Sequence, residues 1–310
     1  GKAFVEAGPD MVFFTGGARA GRKVMAAAAA HPIPVILELG GNDPMIVFGD
    51  ADRERALRGA LYGAFAHAGQ HCVAIKRLFV QSSIGEDFLA ELAERTRSLA
   101  RTDDWGRIVD QGGCDRAREQ IEEAIKRGGR VLVPQERETA ARIPTLVADV
   151  PTDCSLMREE TFAPVLAAAE FGDEEEAIEM ANATPYGLNA SVWSAEQDRS
   201  QRVVSRLETG NVYVNNVLTN VGNPHLPFGG VKRSGVGRYH GQEGLKAFCR
   251  EVSVMITKSK APSELNWFPH DKQTAQMLEG LMELRYGELG WWERFVRWIK
   301  LLPDLARGKE

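Results

Sequence analysis

Two residues with chemically active side chains lie at the ends of apolar segments. Cys72 closes the tetrapeptide Gly-Gln-His-Cys, which follows an apolar helical run and precedes a short strand-like run. It is either inert, as buried free cysteines usually are, or a nucleophile whose thiolate is favoured by a nearby positive dipole or base. His71 is adjacent, but neighbouring side chains commonly point apart, so we do not assign it as that base.

The second residue is Glu38, near the end of the apolar segment IPVILEL. Active sites of α/β proteins gather at the carboxyl ends of parallel strands. The carboxylate is therefore either a surface cap or a partly desolvated base. Glycines of the stretch TGGARAG offer a third signal, because a glycine turn before a helix exposes N–H groups to an anion. A plain tight turn explains them equally well.

The elements that must position these residues alternate along the chain. Strand-like segments are MVFF, IPVILEL, PMIVF, RLFV, RVLV, NASVW and NVYVN, and helical patterns cover 22–30, 53–67, 84–100, 115–126, 174–183 and 196–207. Strands that alternate with helices predict βαβ units and a largely parallel sheet. The fold class is therefore α/β.

Composition narrows the function classes. The 310 residues are 44% hydrophobic and carry a net charge of −5, with acidic and basic residues mixed, which argues against a nucleic-acid partner. The four cysteines form no CxxC pair, so neither a zinc site nor a disulfide framework is indicated. No stretch has the length of a signal peptide or a membrane span. We expect a cytoplasmic protein.

Six motifs together resemble the aldehyde dehydrogenases. FFTGGARAG, ELGG, GQHC, EETFAPV, TPYGLNASVWS and PFGGVKRSGVGRYHGQEGL stand in the order, and close to the spacing, of that family, over about residues 1–258. The resemblance implies that Cys72 attacks an aldehyde carbon to give a thiohemiacetal, which loses a hydride and becomes a thioester. It also implies that Glu38 is the general base that activates the water for thioester hydrolysis.

The same resemblance implies a nicotinamide cofactor, NAD or NADP. Glu160, in EETFAPV, matches the residue that holds the nicotinamide ribose, and Phe162 lines the same pocket. Gly16 and Gly17 match the turn beneath the cofactor phosphates. The expected substrate is a small aldehyde, and the expected assembly is a homodimer or homotetramer.

Three departures from the family pattern affect the site. Gly17 replaces a frequent serine, which removes a hydroxyl but keeps the backbone N–H. Ala163 replaces the usual glycine of the FGP triplet, and its methyl group could disturb the turn that positions Glu160. Asn42 and Asp43 stand where Lys-Ser is common, and we expect them at the edge of the site.

The resemblance also implies a domain organisation. Residues 1–38 correspond to the C-terminal part of a Rossmann-like dinucleotide-binding domain, 39–240 to the catalytic thiol domain, 241–262 to a return to the cofactor and oligomerisation region, and 263–310 to a helical tail. Family members carry a long further segment ahead of FFTGG, including an asparagine of the oxyanion hole. We therefore expect the C-terminal part of a longer enzyme, poorly stable or inactive alone.

The tail contains an amphipathic helix. Its apolar side carries Trp291, Trp292, Phe295, Trp298, Ile299 and Leu302. Packing on the protein or on a subunit is the first interpretation, because tryptophan is common at interfaces. Peripheral contact with a membrane is the second.

Other motifs have structural interpretations. The glycine-rich PFGGVKRSGVGRYHG predicts an architectural loop, Asn215 and Asn216 a strand-end cap, and the compressed segment between Ser98 and Asp110 a surface-loop deletion. We expect no chemistry from Cys114, Cys154 and Cys249, and no metal site from His67, His225, His240 and His270. Two further hypotheses remain open: a non-catalytic fragment or scaffold of the same fold, and a thiol hydrolase that needs no cofactor.

Overall fold

The computed structural model describes residues 1–109, 111–133, 143–258, 264, 267–268 and 272–307. The chain divides into two compact units, Gly1–Arg250 and Glu251–Glu310. His270 and the Leu302 side chain lie outside the described residues, so their expected roles stay predictions.

The first unit begins with a three-stranded sheet in the order β1-β2-β10. It contains β1 (Val12–Thr15), β2 (Val35–Glu38) and β10 (Gly235–Val236). β1 and β2 are parallel, and Thr15 lies opposite Glu38. Helices α1 (Lys2–Glu6) and α2 (Ala18–Ala28) accompany this sheet. The strand, glycine turn and helix predicted around TGGARAG are thus confirmed.

A seven-stranded sheet follows, in the order β5-β6-β7-β4-β3-β8-β9. Its strands are β3 (Asp43–Val47), β4 (Ile75–Gln81), β5 (Arg130–Val133), β6 (Thr145–Ala148), β7 (Val165–Phe171), β8 (Asn189–Trp193) and β9 (Asn211–Val214). All neighbouring pairs are parallel except β5 and β6. A parallel sheet needs helices on both faces, which explains why β3 and β8 are buried throughout instead of alternating.

Two apolar cores lie on the two faces of this sheet. The first is covered by α3 (Arg53–Phe65) and α4 (Gly85–Ala100). The second is covered by α5 (Gln111–Lys126), α7 (Glu174–Asn182) and α8 (Gln197–Arg206), with the short α6 (Ser155–Arg158) beside α5. The short α9 (Gly241–Ala247) ends this part of the chain. The predicted α/β class with a largely parallel sheet is confirmed.

The sequence pattern does not predict two of the strands, β6 and β7. β6 is short, and β7 reads VLAAAEF, whose alanines favour helix by propensity. The central position of β7, between β6 and β4 and with cores on both faces, overrides that propensity.

The second unit contains two helices, α10 (Lys272–Tyr286) and α11 (Trp291–Arg307). Arg294 ties them together, because its guanidinium donates to the carbonyl oxygens of Leu284, Gly287 and Leu289. The aromatic side of α11 is exposed at Trp291, Trp292, Phe295, Trp298 and Ile299. Among the described residues, no helix combines the length and apolarity needed to cross a membrane.

A buried arginine in β4 connects the start of β3 to the end of a helix. The Arg77 guanidinium donates to the carbonyl oxygens of Asn42, Met180 and Ala181 at 2.8, 3.0 and 2.8 Å. Burial lowers the pKa of Arg77 to about 9, against the attraction of the Asp43 carboxylate. These bonds fix the start of β3 against the end of α7.

We expect Arg77→Met to lower the free energy of unfolding by roughly 3 kcal/mol, because three carbonyl oxygens lose their donor and the buried Asp43 loses a nearby positive charge. Urea denaturation followed by circular dichroism measures the change. The control is Arg58→Ala, which removes only an exposed ion pair with Glu54 and should cost less than about 1 kcal/mol. Equal losses in the two variants would contradict this account.

Candidate functional site

A cleft of about 870 Å³ opens at the carboxyl ends of β1 and β2. All six residues singled out from the sequence line it: Gly16, Gly17, Glu38, Cys72, Glu160 and Phe162. They come from segments far apart in the chain. The structure therefore brings together every site residue that the sequence predicted.

Cys72 closes a strained turn, residues Ala66–Cys72, which we call the nucleophile loop. His67, Ala68 and Gly69 follow each other with φ of 50°, 57° and 63°, in the left-handed region. Only Gly69 adopts this conformation without cost, so the surroundings must hold the other two.

Hydrogen bonds with residues 105–109 stabilise this backbone conformation. Ala68 N donates to Trp105 O at 2.5 Å, and the Gln70 side chain donates to Arg107 O at 2.9 Å while accepting from Val109 N at 2.9 Å. We expected a surface-loop deletion between Ser98 and Asp110. That deletion stays a prediction, and the part of the segment that the structure describes braces the nucleophile loop.

Glu38 ends β2 and is 95% buried, with its exposed fraction at 5%. Burial raises the pKa of Glu38 to about 8, and the Arg238 guanidinium opposes the rise. Its Oε1 has no hydrogen-bond partner within the described part of the chain. A carboxyl group with a free, buried oxygen and a pKa near neutrality is suited to exchange a proton with a ligand.

Two glycines allow three segments to meet. Gly41 N donates to Glu160 Oε1 at 3.3 Å. A Cβ on Gly40 would lie 2.1 Å from Glu160 Oε2, and one on Gly41 would lie 2.4 Å from Cys72 O. A side chain at Gly41 is thus excluded by backbone, whereas one at Gly40 would displace the Glu160 carboxylate from its place in the cleft.

These surroundings keep the cysteine protonated. Burial raises the pKa of the Cys72 thiol to about 12, and the carboxylates of Asp43, Glu160 and Glu38 raise it further than burial alone. Burial also raises the pKa of Glu160. His71 contributes no contact to the thiol among those observed; its ring packs edge-on against His67 at 4.7 Å. The Cys72 thiol would therefore need a proton acceptor before it could act as a nucleophile.

Asn42 and Asp43 lie deeper than expected. We expected them at the edge of the site, yet both are about 99% buried, with exposed fractions of 1%. Asp43 accepts from Asn189 N at 3.2 Å and from Asn189 Nδ2 at 3.0 Å, and burial raises the pKa of Asp43 to about 8. The reason is that β3 starts here, in the middle of the sheet.

The glycine turn is built to receive an anion. Gly16 N donates to Glu38 O at 3.0 Å, and Gly17 caps the N-terminus of α2. No atom lies within 4 Å of a Cβ placed on Gly17, so this turn is open. The positive end of the α2 dipole points into that opening.

Arginine side chains make the cleft basic, and none of these arginines was predicted from the sequence as a site residue. Five line the cleft: Arg19, Arg22, Arg116, Arg158 and Arg233. Arg19 and Arg22 had a signal, since both follow the glycine turn inside α2. The others come from separate segments and meet only in the fold. The basic lining suits a ligand with negatively charged phosphates.

The glycine-rich segment near residue 234 has the architectural role expected of it. Ser234 O accepts from Leu39 N at 2.9 Å, and its hydroxyl donates to Gly40 O at 2.7 Å and accepts from Gly187 N at 3.0 Å. Asn215 also acts as expected, bonding Ser194 at the end of β8 through both its side-chain oxygen and nitrogen. Neither asparagine, Asn215 or Asn216, lines the cleft.

Other candidate groups lie outside the cleft. Cys114 and Cys154 are buried, and Cys249 is exposed. Within the described ranges, no cluster of three or more His, Cys, Asp or Glu side chains is arranged to hold a metal ion.

Comparison with known proteins agrees with this architecture. The model of the aldehyde dehydrogenase family matches residues 1–254. This chain belongs to the aldehyde dehydrogenase family. Among its relatives is the 4,4'-diapolycopene aldehyde oxidase of Methylomonas sp., 44% identical over 292 residues, a match that covers 93% of this chain and 55% of that protein.

Solved aldehyde dehydrogenase structures share the fold. The NAD-dependent aldehyde dehydrogenase of Sinorhizobium meliloti superposes with a TM-score of 0.78 at 36% identity, over 84% of this chain and 54% of that one. The betaine aldehyde dehydrogenase of Staphylococcus aureus, in complex with NAD+, gives 0.74 at 33% identity, over 84% and 54%. The chain thus spans about half the length of the relatives that it matches.

We expect Glu160→Gln to speed alkylation of Cys72 by iodoacetamide about threefold to tenfold at about pH 9, because removing a negative charge lowers the thiol pKa. Mass spectrometry follows the modification in a Cys249→Ser background, with buried Cys114 as the internal reference. Glu159→Gln, an exposed neighbour, is the matched control. An unchanged rate in Glu160→Gln would contradict the electrostatic account.

Proposed function

We propose that this chain carries the catalytic centre of an NAD(P)-dependent oxidation of an aldehyde to a carboxylic acid. The observation that supports this most directly is the convergence of a nucleophile, a base and an acidic ribose ligand on one cleft, at Cys72, Glu38 and Glu160. Membership of the family supports the same reaction class.

In this proposal Cys72 Sγ bonds to the aldehyde carbon as its proton leaves to a base or to water, and the carbonyl π electrons move to the oxygen, which gives the oxyanion of a thiohemiacetal. A bound nicotinamide supplies the acceptor for the hydride that the thiohemiacetal carbon loses. Glu38 then removes a proton from water as its oxygen attacks the resulting thioester. The carbon–sulfur bond breaks, the acid leaves, and the proton returns to the Cys72 thiolate.

The cleft fits a dinucleotide. Its open turn at Gly17, the α2 N-terminus and the arginine lining suit the pyrophosphate. Glu160, held by Gly41 N, offers a carboxylate to ribose hydroxyls. Both NAD and NADP satisfy these groups, so we propose no choice between them.

Two other functions of the same fold are tested alongside. A scaffold that works by association needs neither the thiol nor the base. A thiol hydrolase needs both but no cofactor, and hydrolysis of p-nitrophenyl acetate without NAD is its assay. We also propose that the protein is cytoplasmic and forms a homo-oligomer. Size-exclusion chromatography with light scattering measures the molar mass and so tests the oligomeric state.

We expect the steady-state rate of aldehyde oxidation, measured with this chain as part of the longer enzyme that the resemblance implies, to rise with pH through about 8, because only the ionised Glu38 accepts a proton. In Glu38→Gln that rise should disappear and kcat should fall about 10²- to 10⁴-fold. The first equivalent of NADH should still form, because the water-activating step comes later. Stopped-flow absorbance of NADH measures both phases.

The control is Glu159→Gln, which keeps Glu38 and should leave the pH profile unchanged. Turnover in Glu38→Gln at the rate of the unchanged protein would refute the assigned base. NAD-independent ester hydrolysis with no aldehyde oxidation would favour the hydrolase. Neither activity, together with stable association, would favour the scaffold.

For the tail we propose a peripheral contact with a lipid surface. The exposed side of α11 is aromatic, with Trp291, Trp292 and Trp298 among its residues, and tryptophan is suited to the membrane interface. The match to the Methylomonas enzyme covers 93% of the chain and so extends beyond residue 254, where the family match ends.

We expect the protein to sediment with vesicles that contain anionic lipid, and the double variant Trp292→Glu/Trp298→Glu to lose at least about tenfold in vesicle affinity, since charge on the apolar side opposes insertion. The variant Lys300→Gln, on the polar side, should lose much less. Equal sedimentation of the intact protein and the tryptophan variant would refute the contact and favour packing on protein.

A further inference from the structure

A buried lysine side chain connects two loops of the cleft. Lys76, in β4, has an exposed fraction of 2%. Its Nζ donates to Gly69 O at 2.7 Å and to Ala163 O at 2.7 Å. The first carbonyl belongs to the nucleophile loop, and the second to the segment Glu160–Ala163, which we call the cofactor loop. One ammonium group thus holds both loops.

The two loops approach so closely around the Lys76 ammonium group that no side chain fits at position 69. Gly69 has a φ of 63°, and a Cβ on it would lie 2.5 Å from Lys76 Nζ and 2.6 Å from Ala163 O. Ala163 itself is fully buried in the apolar core, so its methyl group anchors the cofactor loop from the other side. The departure from the family glycine at this position therefore adds packing beside the lysine.

Burial of the charged Lys76 side chain costs free energy, because the ammonium group loses its hydration. Burial lowers the pKa of Lys76 to about 7, although the carboxylates of Glu160 and Asp43 oppose this. A neutral side chain of similar shape would avoid the desolvation penalty. Such a neutral side chain would not donate hydrogen bonds to the carbonyl oxygens of Gly69 and Ala163. Both oxygens are buried, and each needs a donor.

We propose that Lys76 is a positioning residue that links the cofactor loop to the nucleophile loop, so that occupation of the ribose site at Glu160 changes the reactivity of Cys72. This rests on the proposed function, because it takes Glu160 as a cofactor ligand. Lys76 touches neither substrate nor cofactor in this account. It acts through the two carbonyl oxygens that it holds, and β4 supplies the rigid support.

The test uses ADP-ribose, which brings the ribose to Glu160 without a nicotinamide ring to shield the thiol. We measure the rate of Cys72 alkylation with and without ADP-ribose in the Cys249→Ser background, and the binding of ADP-ribose by calorimetry. We expect ADP-ribose to change the rate about fivefold or more in the unchanged protein, and less than about twofold in Lys76→Met. Val203→Ala, a core variant in α8, controls for lost stability and should keep the full change.

The outcomes separate the two proposals. Absence of ADP-ribose binding to the unchanged protein refutes the cofactor site and, with it, this inference. Binding with the same rate change in Lys76→Met as in the unchanged protein overturns the inference and leaves the proposed function standing. Binding without any rate change in the unchanged protein overturns it as well.

A second measurement does not depend on the variant folding. Hydrogen exchange in the unchanged protein should show peptides over 66–73 and 159–165 becoming protected together when ADP-ribose binds. Protection of 159–165 alone would overturn the link. Lys76→Gln, which keeps two N–H donors on a shorter side chain, should show a rate change between those of the unchanged protein and Lys76→Met.

Discussion

The cleft depends on the absence of side chains at Gly40 and Gly41. A Cβ at either position would collide with Glu160 or with the Cys72 carbonyl, at 2.1 and 2.4 Å. The end of β2, the nucleophile loop and the cofactor loop can therefore share one volume. This close approach brings Glu38, Cys72 and Glu160 to one cleft, and at Gly41 the neighbour is backbone, which cannot move aside as a side chain could.

Burial of the acidic groups accompanies that approach and is the main cause of their raised pKa values. Burial raises the pKa of Glu38 to about 8 and that of the Cys72 thiol to about 12. The resting thiol is thus protected from alkylation and oxidation, since only the thiolate reacts. Two buried cations act on the neighbouring acids: Lys76 lowers the pKa of Glu160 and Arg77 lowers that of Asp43, and both side chains also bond the backbone.

The sequence predicts the parts of this site that are written in local patterns. Strand ends and glycine turns are local, and so Glu38, Gly16 and Gly17 were found, while the order of six motifs located Cys72, Glu160 and Phe162. The arginine lining and the role of Lys76 were missed because they depend on contacts across the fold; Lys76 meets a carbonyl 87 residues away. Strand β7 was missed because its alanines favour helix, and only its central position makes it a strand.

The residues of the candidate site come from both sheets, and Ser234 bonds the backbone where the sheets meet. The small sheet carries Glu38 and the phosphate turn, whereas the large sheet supports the nucleophile loop and Lys76. They join where β2 passes into β3 through Gly40 and Gly41. Ser234, beside β10, bonds Leu39, Gly40 and Gly187 there. Ser234 thus fixes the backbone that follows Glu38, and in this way a glycine-rich segment that does not carry the candidate reactive groups helps to hold the cleft together.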